Sequence, residues 1–333
     1  MPDSKPLVLV TAVEYRKAED CFVSARGLEC RSAPDVEADL ASAVRAAHAR
    51  YVVVGLQTYS GALYEALPAG GVIARFGAGH DGIDKARATE AGLVCTNAPG
   101  VLNQSVAEHT MLLVAAAARK LVPASARMAK SAWEPETGEE LQGKTIAIIG
   151  CGAIGRTVAR IASLGYGMHV VGVSKPNTPP PAALEYFRVV TNEYAAAVRT
   201  VDFVSLHIPA GGGNAQFMNR ERLAVLGKKT WLINTARGSV VDERALFDAL
   251  AEGRIGGAAL DVFTREPYAP LEGSGDLRSL ANVILTPHVG GNTVEANRRT
   301  AERALQNIAF AEAGEFARMD LLNPEVLTRA PRP

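Results

Sequence analysis

Three residues able to hold an anion or move a proton stand far apart in the chain, each just beyond a short apolar run. They are Arg237 in NTARGSVVDE, Glu266 in ALDVFTREP and His288 in LTPHVGG. A guanidinium can grip a carboxylate with two parallel hydrogen bonds, and an imidazole can give and take a proton near neutral pH. A carboxylate beside that imidazole favours its protonated form. Taken singly, each residue also has a plain structural reading: a turn arginine in an ion pair, a solvated loop glutamate, an interior histidine with its bonds satisfied. Their shared position is the argument for chemistry. In an open parallel sheet the ligand crevice lies beyond the carboxyl ends of the strands, so three such residues can converge.

A fourth segment reads as a phosphate cradle. The apolar run KTIAIIG (Lys144 to Gly150) leads into Gly150, Gly152 and Gly155, with Cys151, Ala153 and Ile154 between them. The first glycine permits a tight turn, the second lets a pyrophosphate approach the backbone, and the third lets the following helix pack closely. The helix N-terminus favours the negative charge. The alternative is an ordinary glycine-rich turn, with Cys151 as a small filler. The next apolar run ends at Val173 and is followed by Ser174, Lys175, Pro176 and Asn177, with no acid to take a ribose 2′-hydroxyl. Ser174 and Lys175 suit a 2′-phosphate, so NADP(H) is expected over NAD(H). A solvated lysine beside a permissive pocket is the other reading.

The elements that must position these groups recur in a βα rhythm. Strands are predicted at Leu7 to Thr11, Tyr51 to Gly55, Val72 to Phe76 and Leu93 to Asn97. The rhythm restarts at Lys144 to Gly150 and continues through Val170 to Val173, Phe203 to Leu206, Trp231 to Asn234, Gly257 to Phe263 and Val283 to Thr286. Two parallel, helix-covered sheets follow, an α/β fold. Between the blocks, Asn103 to Leu121 is predicted as a long buried helix, with Ser105 and Glu108 at capping-box spacing. A helix with one buried face is predicted over Thr293 to Glu312. The chain is expected to cross between lobes twice, giving one domain from residues 1–98 plus 291–333 and another from 99–290. A simple split near residue 100 is the other reading. The tail TRAPRP reads as a loose terminus.

Composition narrows the partners. The 333 residues are 48% hydrophobic, enough for two cores. Lys plus Arg equals Asp plus Glu at 35 each, so there is no basic field for nucleic acid or an anionic membrane, and a small-molecule partner is expected. Cys21, Cys30, Cys95 and Cys151 show neither CxxC spacing nor paired His ligands, so no metal site or disulfide framework is expected. The opening MPDSKPLVLVTAVEY has an apolar run too short for a signal peptide or a membrane span. A cytoplasmic protein is the expectation.

In order along the chain, RFGAGHDGID, NAPGVLNQSVAEHT, GCGAIG, SLHIPA, NTARGSVVDE, ALDVFTREP and TPHVGG strongly resemble the D-isomer-specific 2-hydroxyacid dehydrogenase family, which includes glyoxylate and hydroxypyruvate reductases and phosphoglycerate dehydrogenases. The resemblance covers nearly the whole chain. It implies two Rossmann-like domains with parallel sheets, a flavodoxin-like substrate lobe and a dinucleotide-binding lobe. It implies hydride transfer between NAD(P)H and a small 2-keto acid or D-2-hydroxy acid, with Arg237, Glu266 and His288 catalytic and Ala78 and Gly79 binding the substrate carboxylate through their N–H groups. Asp261 would contact the nicotinamide carboxamide, Ala236 would lie along the cofactor, His207 and Pro209 would border the nucleotide, and Ser105 would lie near it. For His207 a satisfied strand-end histidine is an equal reading, and for Asp261 a turn acceptor.

Family members that oxidise formate carry Gln where Glu266 stands, which argues against that substrate. The segment LQTYSGA lacks an arginine for a substrate phosphate, and Arg75 is expected to brace its loop, so an unphosphorylated acid is preferred. Tyr59 and His80 are candidates to face the acid's side chain, or else packing and surface residues. The resemblance also implies a homodimer in which Ser105 to Leu121 takes part. A dinucleotide-sensing, corepressor-like role with little turnover is the second functional reading.

Overall fold

The computed structural model describes residues 5–175 and 185–328. Pro176 and Asn177, and the tail residues Arg329 to Pro333, lie outside the described residues. The chain divides into two compact units, Met1–Leu102 with Asn292–Pro333, and Asn103–Gly291.

The first unit carries five parallel strands: β1 (Leu7–Thr11), β2 (Glu29–Ala33), β3 (Tyr51–Val54), β4 (Val72–Arg75) and β5 (Val94–Thr96), in the order β2-β1-β3-β4-β5. Side chains alternate across a strand, so each run feeds two cores. Val8 and Val10 join Val53, Val72 and Ala74 on one face, under Ala301, Ala304 and Ile308 of the helix Val294–Glu312. Leu9, Val52, Val54 and Ile73 meet Leu40, Val44 and Leu63 on the other. Thr293 caps the returning helix by accepting from Ala296 N at 3.2 Å.

The second unit carries seven parallel strands: β6 (Thr145–Ile149), β7 (His169–Val173), β8 (Val189–Thr191), β9 (Phe203–Leu206), β10 (Trp231–Asn234), β11 (Gly257–Leu260) and β12 (Val283–Leu285). Their order is β12-β11-β10-β9-β6-β7-β8. Ile146 and Ile148 pack with Val114 and Val158 on one face. Ala147 and Ile149 pack with Leu246 and Leu250 on the other. Because β9 and not β7 follows β6 on one side, the order reverses between β6 and β9. That reversal is where a sheet of this kind opens a crevice.

Two strands went unread in the sequence. β2 (ECRSA) has one buried residue, and β8 (VVT) has none; both are edge strands, so neither needs an apolar run. The helix predicted over Asn103 to Leu121 begins at Asn103 and ends sooner, at Ala118, because Lys120 turns left-handed (φ 50°) before a second helix, Leu121–Ala129. Ser105 is therefore inside the first turn and not at the cap, and Glu108 instead accepts from Gln104 Nε2 at 2.5 Å.

Candidate active site

Along the carboxyl edge of the seven-stranded sheet the loops emerge in strand order. β10, β11 and β12 are neighbours with Asn234 opposite Leu260 and Leu260 opposite Leu285, so the loops bearing Arg237, Glu266 and His288 leave side by side. His288 Nδ1 lies 2.6 Å from Glu266 Oε2, and Glu266 Oε1 accepts from Phe263 N at 2.9 Å. Burial raises the Glu266 carboxyl, but the hydrogen bond from His288, the Phe263 N–H and the charges of His288 and Arg237 outweigh it. The group is held below the ordinary glutamate range.

The backbone is arranged around this pair. His288 adopts a left-handed conformation (φ 53°), which costs a non-glycine residue about 1–2 kcal/mol. Its N–H donates to Asp261 O at 2.8 Å. The next two amides, Val289 and Gly290, donate to the Asp261 carboxylate at 2.9 and 2.8 Å. Asp261 is 1% exposed and also accepts from Thr286 Oγ1 at 2.5 Å, so it ties the end of β11 to the His288 loop. A nicotinamide contact through this residue would use a lone pair left on Oδ2.

Arg237 is fixed in the same manner. Asn234, 1% exposed at the end of β10, accepts from Ala236 N at 3.0 Å and donates to Arg237 O at 2.9 Å. Gly238 lies against the Phe263–Thr264 backbone so closely that a Cβ would sit 1.8 Å from Phe263 C. Glu243 is buried and accepts from Thr264 N at 2.5 Å. The Arg237 and Glu266 loops are thus stapled together. Sequence reasoning missed Asn234, Gly238 and Glu243 as positioning groups, although a polar residue ending WLIN and a buried acid opening the next helix were readable signals.

The glycine loop fits a dinucleotide. Gly150 is left-handed (φ 100°), and a Cβ there would strike His207 O at 2.5 Å. A Cβ on Gly155 would strike Gly150 O at 2.2 Å. Gly152 is different: its φ is ordinary and no protein atom lies within 4 Å of its would-be Cβ. Nothing in the chain requires glycine there, so the open space suits a group from outside at the N-terminus of the helix Ala153–Tyr166, whose first residues are Ala153 and Ile154. His207 contacts Ser205 Oγ through Nε2 at 2.8 Å while its Nδ1 is buried without a partner. Burial pushes this imidazole down to about 4, so it is neutral at pH 7. Pro209 O accepts from Asn214 Nδ2 at 2.9 Å. Ser174 N donates to Thr191 O at 3.0 Å, and the Lys175 ammonium donates to Gly212 O at 3.1 Å, leaving it further donors. Cys151 is buried against Gly172, and burial pushes its thiol up to about 11, an inert filler.

In the first unit, Gly77 O and Ala78 O accept from Ala98 N at 2.9 Å and Asn97 Nδ2 at 2.6 Å. In a trans peptide the following N–H points the opposite way, so the amides of Ala78 and Gly79 are turned outward from that anchor. Arg75 is 5% exposed and donates to Phe76 O, bracing this loop. Tyr59 is 2% exposed and belongs to the core, whereas His80 is partly exposed with Nδ1 3.2 Å from Lys85 Nζ. Among the described residues no cluster of His, Cys, Asp and Glu could hold a metal ion, and no helix is long and apolar enough to cross a membrane.

A family model described as D-isomer specific 2-hydroxyacid dehydrogenase, NAD binding domain, matches residues 111–290. Glyoxylate reductase from Thermococcus litoralis is 38% identical over 279 residues, 81% of this chain and 82% of that protein. Among solved structures, the chain is similar to an NADPH-dependent glyoxylate/hydroxypyruvate reductase from Sinorhizobium meliloti, with TM-score 0.79 and 28% identity over 96% of this chain and 97% of that one. It is also similar to D-lactate dehydrogenase from Aquifex aeolicus complexed with NAD and lactic acid, with TM-score 0.80 and 25% identity over 95% of this chain and 98% of that one.

Proposed function

The chain belongs to the D-isomer-specific 2-hydroxyacid dehydrogenase family, and from that premise we propose that it reduces a small, unphosphorylated 2-keto acid of the glyoxylate or hydroxypyruvate kind to the D-2-hydroxy acid. The observation that carries the reading is the 2.6 Å contact between His288 Nδ1 and Glu266 Oε2, which leaves Nε2 as the ring's second proton site. His288 protonates the ketone oxygen, and the ionised Glu266 holds the imidazole in the required orientation. Arg237 grips the substrate carboxylate and polarises the C2 oxygen. In the first unit, the outward amides of Ala78 and Gly79 are the groups proposed to bind substrate. When bound, the nicotinamide supplies the hydride to C2.

Residues 99–290 form the dinucleotide-binding domain in this reading, and residues 1–98 with 291–333 the substrate-binding domain. Gly150 to Gly155 cradle the pyrophosphate, His207, Pro209 and Ala236 border the nucleotide, and Ser105 lies near it. Ser174 and Lys175, with no acid between Val173 and Lys175, support NADP(H) over NAD(H). The naming of relatives as reductases and dehydrogenases supports turnover over a sensing role. Free thiols at all four cysteines support a reducing, cytoplasmic setting. Exposed Leu112, Leu121, Val122, Met128 and Trp133 on and beside the helices after Asn103 support a homodimer. The test is a spectrophotometric screen of NADPH and NADH against a panel of 2-keto acids. Oxidation of NADPH with glyoxylate or hydroxypyruvate is expected, and no oxidation with any member refutes the proposal.

A further inference from the structure

His109 is a partly buried histidine for which the proposed reaction has no use. It sits on the helix Asn103–Ala118 with its side chain 13% exposed. Its Nε2 lies 3.1 Å from Thr286 Oγ1 and 3.4 Å from Asp261 Oδ1. Thr286 Oγ1 is itself 2.5 Å from Asp261 Oδ1.

The protons in this triangle can be assigned. Burial raises the Asp261 carboxyl, but bonds from His109, Thr286 and the amides of Val289 and Gly290 outweigh it, so the group stays ionised and only accepts. The single proton of the Thr286 hydroxyl therefore points at Asp261. Only acceptor capacity remains on Thr286 Oγ1, which makes His109 Nε2 the donor. The His109 ring also lies against Gly290, with Cδ2 3.5 Å from the place a Cβ would occupy.

Asp261 in turn holds the segment that bears His288. Its carbonyl takes the His288 N–H, and its carboxylate takes the two amides that follow. We propose that His109 is a positioning residue for His288: by donating from Nε2 to Thr286 and Asp261 it locks the left-handed turn that sets the His288 imidazole on Glu266. The inference rests on the reading of His288 as the proton donor for its effect on rate, but its structural half stands without turnover.

The test compares the wild type with His109→Gln, which keeps a side-chain N–H donor, and His109→Leu, which does not. The first readout is the 15N shifts of the His288 ring in the dinucleotide-free protein, assigned by their loss in His288→Ala. They are recorded with the pH raised until the ring shifts no longer change. The wild type and His109→Gln are expected to give a protonated Nδ1, and His109→Leu the averaged nitrogen shifts of an unanchored ring. The second readout is kinetic: kcat falls roughly tenfold in His109→Leu with KM for the dinucleotide unchanged, and is largely restored in His109→Gln. Wild-type ring shifts in His109→Leu overturn the proposal. So does a His109→Gln variant as impaired as His109→Leu with an equal fall in Tm, since that describes packing alone. A wild type without turnover would refute the proposed reaction, while the ring shifts would still decide the role of His109.

Discussion

Replacing Glu266 by Gln removes a charge while keeping the size of the side chain and one oxygen to accept from His288. The contact is 2.6 Å, with the two side chains 24% and 33% exposed. A hydrogen bond to a charged partner contributes about 1.5–3 kcal/mol, and exposure of this degree places the pair in the lower half of that range. About 1.5–2 kcal/mol corresponds to a loss of roughly 10- to 30-fold in kcat for keto-acid reduction. The pH dependence follows from the same pair. A carboxyl held below its ordinary value contributes stability that is fully present above the unfolded pKa and is lost as pH falls through the lowered one. The acid limb of a Tm-versus-pH curve is therefore expected to flatten in Glu266→Gln. Steady-state NADPH oxidation from pH 5 to 9, with melting curves over pH 2 to 7, reads both effects. A variant profile superimposable on the wild type would refute the reasoning.

Gly238→Ala places a methyl group 1.8 Å from Phe263 C, and the Arg237 and Glu266 loops have to separate to admit it. A loss of about 1–3 kcal/mol of stability and roughly 100-fold in kcat/KM is expected, checked by denaturant titration and kinetics; wild-type values in both would show that the loops are not stapled there. Ser174→Asp combined with Lys175→Asp offers a carboxylate to a ribose hydroxyl and repels a 2′-phosphate, so the ratio of kcat/KM for NADPH to that for NADH is expected to fall by at least tenfold. An unchanged ratio would mean that this loop does not read the 2′-phosphate.

The central strands were legible because both their faces are covered. TIAII, FVSL and WLIN carry almost uninterrupted apolar side chains for that reason, and their ends were read to within a residue or two. The strands ECRSA and VVT were not, since the first buries one residue and the second none. At the candidate site, the ionisable residues beyond strand ends could be singled out because the crevice of a parallel sheet has a known edge. What positions them could not. His109 and Thr286 are 177 residues apart and meet only once the helix docks on the sheet. The close approach of Gly238 to Phe263 likewise depends on two loops from neighbouring strands, and a glycine in NTARG looks the same whether it turns or makes room.

The most direct test of the account is His288→Ala, assayed for NADPH oxidation with the best keto acid of the panel and, separately, for NADPH binding by fluorescence. The expected result is near-complete loss of reduction, on the order of 100-fold or more, with dinucleotide affinity retained. Reduction at the wild-type rate in that variant would contradict the assignment of the proton to His288, and with it the mechanism built on this site.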